Sequence, residues 1–381
     1  MLRLIRLRLT EFRSWASLDA RFDAPVVVIA GENGAGKTNL LEAISLLGPG
    51  RGLRGARMSE LGRRVDAVAQ PWAAAGRFAT PQGNFDIGTG ADPGGSSDRR
   101  QFRLDGQPVR VQADLADHVA AVWLTPQMDR LFQESTSGRR RFLDRLVWAL
   151  EPTHAREVAA HDEAMAQRNR LLAGGRADPG WLAGLEDAMA RHAVAATAAR
   201  RALVSRLNAV MASGAATGAF PAARMVLVCP IAEALAEQPA LAVEDALRAA
   251  LAADRRRDAA AGGAARGAHR ADMALIHLPK DQPAELCSTG EQKALLISTV
   301  LAHAALIAEA RGFAPMLLLD EVAAHLDATR REALFAALAA LPAQAFLTGT
   351  DPEVFRPLQG IADRFRAQPG ILVPEGECGS P

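Results

Sequence analysis

The chain has no tyrosine, three cysteines, and only three lysines among its 44 basic residues. Each scarcity excludes something. Aromatics make up only 5% of the chain, so base stacking is not expected as a main mode of nucleic-acid binding. Cys229, Cys287 and Cys378 are far apart and odd in number. They suggest neither a disulfide framework nor a metal site, and they fit a reducing compartment. Cys287, next to Ser288, reads as a small buried filler, with a reactive thiol as the competing reading. The eight histidines show no metal-ligand spacing. No stretch approaches the roughly 20 uninterrupted apolar residues of a membrane span. The start, Met1 to Arg6, carries arginine at every third residue and lacks the apolar centre of a signal peptide. The expectation is a cytoplasmic protein with no membrane partner. Net charge is only +1, so a nucleic acid would have to be held by local basic patches. Against this bias toward arginine, the positions that keep lysine (Lys37, Lys280 and Lys293) suggest a need for a compact ammonium.

What is present is an ordinary globular composition, 49% hydrophobic and 23% charged over 381 residues. That length predicts two lobes. Residues 1–30 read as strands: Leu2 and Leu4, then Ile5, Leu7 and Leu9, alternate with polar residues with one register slip. Val26 to Ala30 is a continuous apolar run of the kind found in a fully buried strand. A helix is expected at about Asn39–Leu47. Short strands with turn signals such as Asp105-Gly106 follow over about 65–124. Residues 137–212 read as helices broken near Gly174–Pro179, with a further helix at about 242–260. Strand–helix alternation resumes from Ala271. Leu317 to Leu319 and Ala345 to Leu347 are short apolar strands flanking a helix at 328–340. The expected fold class is α/β, with one lobe (1–130 and 265–381) built from both chain ends. A mainly helical second lobe (131–264) is inserted between them, with no long coiled coil.

Gly31-Glu32-Asn33-Gly34-Ala35-Gly36-Lys37-Thr38 fits G-x-x-x-x-G-K-[ST] between a buried strand and a helix, the context that a phosphate loop requires. The glycines let backbone N–H groups converge on phosphate oxygens, and the helix N-terminus adds partial positive charge. This predicts ATP as ligand. Lys37 would reach the β- and γ-phosphates, and Thr38 would bind Mg²⁺. Leu317-Leu318-Leu319-Asp320-Glu321 is an apolar strand ending in two carboxylates. Asp320 would hold Mg²⁺ and Glu321 would orient or deprotonate the attacking water.

Ser288-Thr289-Gly290-Glu291-Gln292-Lys293 precedes a long apolar helix. A hydroxyl, a glycine and a helix N-terminus make a second anion site, which points to ATP sandwiched between two copies of the chain. Ser288 followed by Glu291 is also a capping box, and both readings can hold together.

Phosphate loop, Ser288–Gln292, Asp320-Glu321 and then Ala324-His325-Leu326-Asp327 occur in the order of an ABC-type ATPase. In that class Asp327 would lie at the dimer seam. The strand where transporters often carry a histidine gives Leu347-Thr348-Gly349-Thr350-Asp351. Thr348 or Thr350 stands in its place. Gln127, in Leu124-Thr125-Pro126-Gln127, is the candidate catalytic glutamine; Gln133 and a purely structural turn compete with it.

Leu9-Thr10-Glu11-Phe12-Arg13-Ser14-Trp15, Asn39 to Ile44 and Gly50 to Arg54 resemble the RecF family of SMC-like ATPases. So do Arg139-Arg140-Arg141-Phe142-Leu143-Asp144 and Gly267-Ala268-His269-Arg270-Ala271-Asp272. The resemblance implies an ATP-dependent, ATP-dimerised, DNA-binding recombination mediator. Such a protein hydrolyses ATP slowly, stimulated by DNA, and works at single-stranded gaps with RecR and RecO partners. It implies that Arg13 approaches the nucleotide and that Asn39 belongs to the nucleotide site.

Candidate DNA phosphate contacts are Arg51, Arg54 and Arg57, then Arg63 and Arg64, and Arg139, Arg140 and Arg141. These predict backbone binding to single-stranded, gapped or double-stranded DNA with steep salt dependence. A charge run is also commonly a solvated face, and arginine stems pack. Arg255 to Arg257 read as the charged end of a helix. Two other functions compete. A transporter ATPase subunit is opposed by the separation of 251 positions from Lys37 to Ser288 and by the missing histidine. A non-hydrolysing ATP-binding scaffold is separable by turnover of Glu321→Gln.

Overall fold

A computed structural model describes residues 1–91, 100–110, 112–175, 178–214 and 220–375; Cys378 lies outside them. The chain divides into two compact units. One comprises 1–129, 214–220 and 296–381, and the other 130–213 and 221–295.

The first unit is organised on two six-stranded sheets. One is antiparallel, in the order Trp15–Arg21, Arg3–Phe12, Ala73–Thr80, Gly83–Ala91, Arg100–Leu104, Gln107–Pro108. The slip read in the first strand is a bulge, where pairing with Ala73–Thr80 shifts between Leu4 and Arg6. The turn at Asp105-Gly106 has both residues at positive φ, 48° and 79°, the geometry of a tight hairpin.

The second sheet runs Ala121–Leu124, Met316–Leu319, Ala345–Gly349, Val26–Ala30, Ala362–Gln368, Ile371–Pro374. Its first five strands are parallel. Val26–Ala30, Met316–Leu319 and Ala345–Gly349 are buried at every residue, as a parallel strand covered on both faces requires. Their carboxyl ends lie side by side, with Leu319 beside Leu347 and Leu347 beside Val28. The crevice beyond such ends is where open α/β sheets place ligands.

The second unit contains helices Thr136–Leu150, His154–Ala173, Pro179–Ser213, Pro230–Glu237, Ala240–Ala253 and Arg255–Ala261. They accompany a three-stranded sheet of Ala223–Val228, Asp272–His277 and Gln282–Pro283. This sheet carries the unit past the sequence-based boundary at 264, to 295. The single helix expected at 242–260 is two, separated at Asp254. Arg255 to Arg257 open the second of these rather than end a helix. Arg255 is spent on Glu186, at 2.5 Å. By length and composition helix Thr289–Arg311 would cross a membrane, but 78% of its apolar window is buried inside the protein.

The core of this unit holds ions. Fully buried Arg168 donates to Glu186 (3.1 Å), Asp258 (2.8 Å) and the Leu251 carbonyl (2.7 Å). Removing one partner of a buried pair costs about 3–5 kcal/mol, because the other charge is left desolvated. Glu186→Ala removes one of the two carboxylates held by Arg168, which keeps Asp258, and takes away the carboxylate held by Arg255. We expect it to destabilise the second unit by about that amount, read as a lowered urea midpoint. A midpoint within error of wild type would show that the network adds no net stability.

Candidate functional site

Strand Val26–Ala30 delivers the chain into the phosphate loop, and helix Lys37–Ser45 takes it out. Gly36 has φ 93°, and a Cβ there would lie 2.6 Å from Ser14 Oγ and 3.1 Å from the Trp15 ring. Only glycine permits that turn. Ser14 Oγ accepts from Asn39 Nδ2 at 3.0 Å, so Asn39 braces the loop from the helix side. Lys37 is 5% exposed. Its ammonium donates to the carbonyls of Gly31 (2.7 Å) and Glu32 (3.0 Å) and lies 3.3 Å from Glu321 Oε1.

Asp320 follows Met316–Leu319 and is 4% exposed. Its carboxylate accepts from Thr38 Oγ1 at 2.9 and 3.0 Å and from Thr348 Oγ1 at 2.7 Å. Thr348 sits on Ala345–Gly349, the strand between the phosphate-loop strand and the Asp320 strand. It is 1% exposed. Its oxygen also accepts from the Glu321 backbone N–H at 3.0 Å, so one buried hydroxyl fixes both carboxylate residues. Glu321 is left-handed, φ 52°, a conformation that costs a non-glycine residue on the order of 1 kcal/mol or more. Of the two candidate threonines on this strand and just after it, Thr348 lies within this cluster. Thr350 lines a separate cavity of about 390 Å³ with Gly31 to Asn33 and Arg366.

Among the described residues no three His, Cys, Asp or Glu side chains are grouped to hold a metal. The Thr38 hydroxyl and Asp320 carboxylate are instead two hard oxygens already in contact. That fits Mg²⁺, which takes one or two protein oxygens and completes its shell from phosphate and water. Gln127 is exposed, just beyond Ala121–Leu124. That strand is paired beside the Asp320 strand, and its Leu124 carbonyl accepts the Asp320 N–H.

Arg13 reaches the helix after the loop. Its guanidinium donates twice to Glu42, both at 2.9 Å, and once to the Glu60 carbonyl. Arg54 donates to the same carboxylate at 3.0 Å and to Asn39 Oδ1 at 2.7 Å. Two guanidiniums on one buried carboxylate leave one positive charge in excess beside Asn39. Sequence reading missed Glu42. The available signal was a lone carboxylate inside the apolar run Leu40 to Ile44.

In the second unit Ser288 and Thr289 are exposed and Gly290 half-buried. The capping box is formed: Ser288 N donates to Glu291 Oε2 at 3.0 Å, and Glu291 N to Ser288 Oγ at 3.4 Å. Glu291 also takes Lys280 at 2.5 Å. Hydrogen bonds from Lys280 and then from Ser288 hold its carboxyl down at about 2. Gln292 departs from its expected nucleotide-contact role. It is 2% exposed and donates to the Cys287 carbonyl at 3.0 Å, so it supports the segment from inside. Cys287 is buried. In the first unit Asp327 caps helix Ala328–Ala340 by accepting from Arg330 N at 2.8 Å, and its side chain remains 56% exposed.

The arginine clusters divide in the same way. Arg51, Arg57, Arg64 and Arg141 are exposed. Arg54 bends onto Glu42, Arg63 onto Glu11 (2.7 Å) and Arg139 onto Asp272 (2.6 Å). Arg140 donates to the Ala271 carbonyl.

The family model for the RecF/RecN/SMC N-terminal domain matches residues 3–368. The chain is 46% identical over 369 residues to the DNA replication and repair protein RecF of Mesorhizobium japonicum, covering 97% of each chain. It is 46% identical over 367 residues to RecF of Agrobacterium fabrum, covering 96% of this chain and 97% of that one. Among solved structures, it resembles the recombination mediator RecF of the RecFOR pathway with an ATP analogue, at TM-score 0.84 and 20% identity over 98% of each chain. The same mediator with ATP gives TM-score 0.80 and 21% identity, over 98% of this chain and 99% of that one.

Proposed function

The chain belongs to the RecF/RecN/SMC N-terminal domain family, and from that membership we propose that it is an ATP-dependent, DNA-binding recombination mediator of DNA repair and replication restart. ATP joins two copies. The dimer binds single-stranded, gapped and double-stranded DNA and helps load recombinase at gaps, with RecR- and RecO-type partners. Slow, DNA-stimulated hydrolysis releases it. The observation that carries the reading is the linked set Thr38–Asp320–Thr348–Glu321, with Lys37 beside it, at the carboxyl edge of a parallel sheet. It offers a metal-ready oxygen pair, a phosphate-facing ammonium and a fixed carboxylate for water.

In this proposal Gly31 to Thr38 cradle the phosphates and Lys37 neutralises developing charge. Thr38 and Asp320 would hold Mg²⁺, which when bound supplies further neutralisation of phosphate charge. Glu321 orients the attacking water, assisted by Gln127. Arg13, through the charge left over at Glu42, acts as a positive wall beside the nucleotide. Ser288 and Gly290 of a second copy close over the γ-phosphate, with Asp327 at the dimer seam. The exposure of Ser288 and of neighbouring Leu286, which is 72% exposed, supports a surface kept for that copy.

Sedimentation tests the dimer. ATP is expected to double the mass of the Glu321→Gln variant, and Ser288→Arg, which fills the shared seam, is expected to keep that variant monomeric. An ATP-independent mass in Glu321→Gln would refute the sandwich. Equal, negligible turnover in wild type and Glu321→Gln would favour a scaffold that only binds ATP.

A further inference from the structure

The second unit carries an open cavity of about 520 Å³ whose lining includes Thr136, Arg140, Asn169, His269 and Arg270. Among the described residues no carboxylate lines it. Arg140 donates to the Ala271 carbonyl at 3.1 Å, and Arg270 to the Ala264 carbonyl at 2.8 Å. These contacts aim the guanidiniums without neutralising them. Their neighbours differ. Arg139 and Arg200 each hold a bidentate carboxylate, Asp272 and Asp144. Asp272 and Asp144 are therefore engaged by the braces, and among the described residues neither Arg140 nor Arg270 is in an ion pair with a carboxylate.

The support of the cavity is built with care for shape. His269 Nε2 bonds the Ala264 carbonyl at 3.0 Å, and the ring stacks on His161 with centroids 5.5 Å apart. Burial first, then the positive charges around it, pushes His269 down to about 4, so it is neutral at physiological pH and competes for no anion. The loop entering Arg270 passes Gly267 at φ 138°, where a Cβ would lie 2.7 Å from His161 Nε2 and 2.9 Å from His269 Nδ1. Thr136 stands in the first turn of a 15-residue helix whose N-cap makes no side-chain hydrogen bond. That turn adds partial positive charge to the cavity mouth.

We infer that this cavity is a phosphate-binding site that takes one backbone phosphodiester of DNA between Arg140 and Arg270. Two fixed guanidiniums and a helix N-terminus match the oxygens of a phosphate. The exposed Arg270 and Thr136 leave the rim open, so a continuing strand can run past. The inference deepens the DNA-binding reading above and rests on it.

The test uses the full chain with ATP and labelled single-stranded, gapped and duplex DNA of scrambled sequence, followed by fluorescence anisotropy across a salt titration. Arg140→Gln/Arg270→Gln should weaken binding roughly tenfold at moderate salt, equally for all sequences. It should also flatten the duplex salt slope by about 1. Arg140→Lys/Arg270→Lys should recover most of the loss, because the charge remains. If the double variant unfolds, Arg270→Gln alone, at an exposed position, should still lower affinity and slope. Wild-type affinity and slope in a folded double variant would overturn the site while leaving DNA binding by the protein intact. No DNA binding by wild type would overturn the broader reading as well. Loss of inorganic-phosphate binding with DNA binding unchanged would assign the cavity to a free phosphate and overturn the DNA assignment.

Discussion

Lys37→Ala is expected to weaken ATP binding by a hundredfold or more. The ammonium already spans two carbonyls and lies near Glu321. On the proposed function, ATP binding exchanges those partners for phosphate oxygens. Hydrogen bonds to a charged group contribute about 1.5–3 kcal/mol each. Losing two of them corresponds to about a hundredfold or more, at one decade per 1.4 kcal/mol. Lys37→Arg should recover little. The side chain is 5% exposed, and a planar fork does not fit the space of a compact ammonium. That expectation accounts for lysine at this position in a chain that uses arginine almost everywhere else. Calorimetric titration with ATP is the measurement, and affinity within threefold of wild type in Lys37→Ala would sink the phosphate-loop assignment.

The parts of this site that could be read from the sequence are those whose physics is local. Val26 to Ala30 announces a strand buried on both faces, and the loop after it is a backbone shape that glycine spacing spells out. Asp105-Gly106 announces a hairpin for the same reason. The slip between Leu4 and Ile5 announces a bulge, because side-chain alternation must break where pairing does. What stayed hidden depends on pairings made across long stretches of chain. Strand Ala223–Val228 exists through its ladder with Asp272–His277, and no local pattern specifies such a partner. Glu42 acquires its role from Arg13 and Arg54, neither in its own helix. Arg139, Arg140 and Arg141 look alike as a run. Folded, they become a brace on Asp272, a wall of a cavity and a solvated side chain. Gln292 looked like a ligand contact by its place in a motif, yet its side chain is buried and held by the Cys287 carbonyl, a contact no local pattern specifies.

Thr348 is the residue whose role the sequence left between two candidates, and Thr348→Val is expected to lower ATP turnover by about ten- to a hundredfold with KM for ATP little changed. Valine matches threonine in volume, so the strand should stay packed, and what is lost is one hydroxyl with two partners. Asp320 loses a donor at 2.7 Å, and the Glu321 N–H loses its acceptor. An unsatisfied buried polar group costs about 1–3 kcal/mol. A loss of that size in the transition state lowers the rate about tenfold per 1.36 kcal/mol. Glu321 is vulnerable in a particular way. Its left-handed backbone is held against its own preference, and the Thr348 bond is one of the things holding it. Releasing the backbone should misplace the carboxylate proposed to orient water, while the proposed phosphate loop, Gly31 to Thr38, should still hold ATP. Thr348→Ser keeps the oxygen and should restore most of the rate, which separates positioning from packing. A fall in KM affinity matching the fall in kcat, or no rescue by serine, would place Thr348 among the residues that merely fill the sheet.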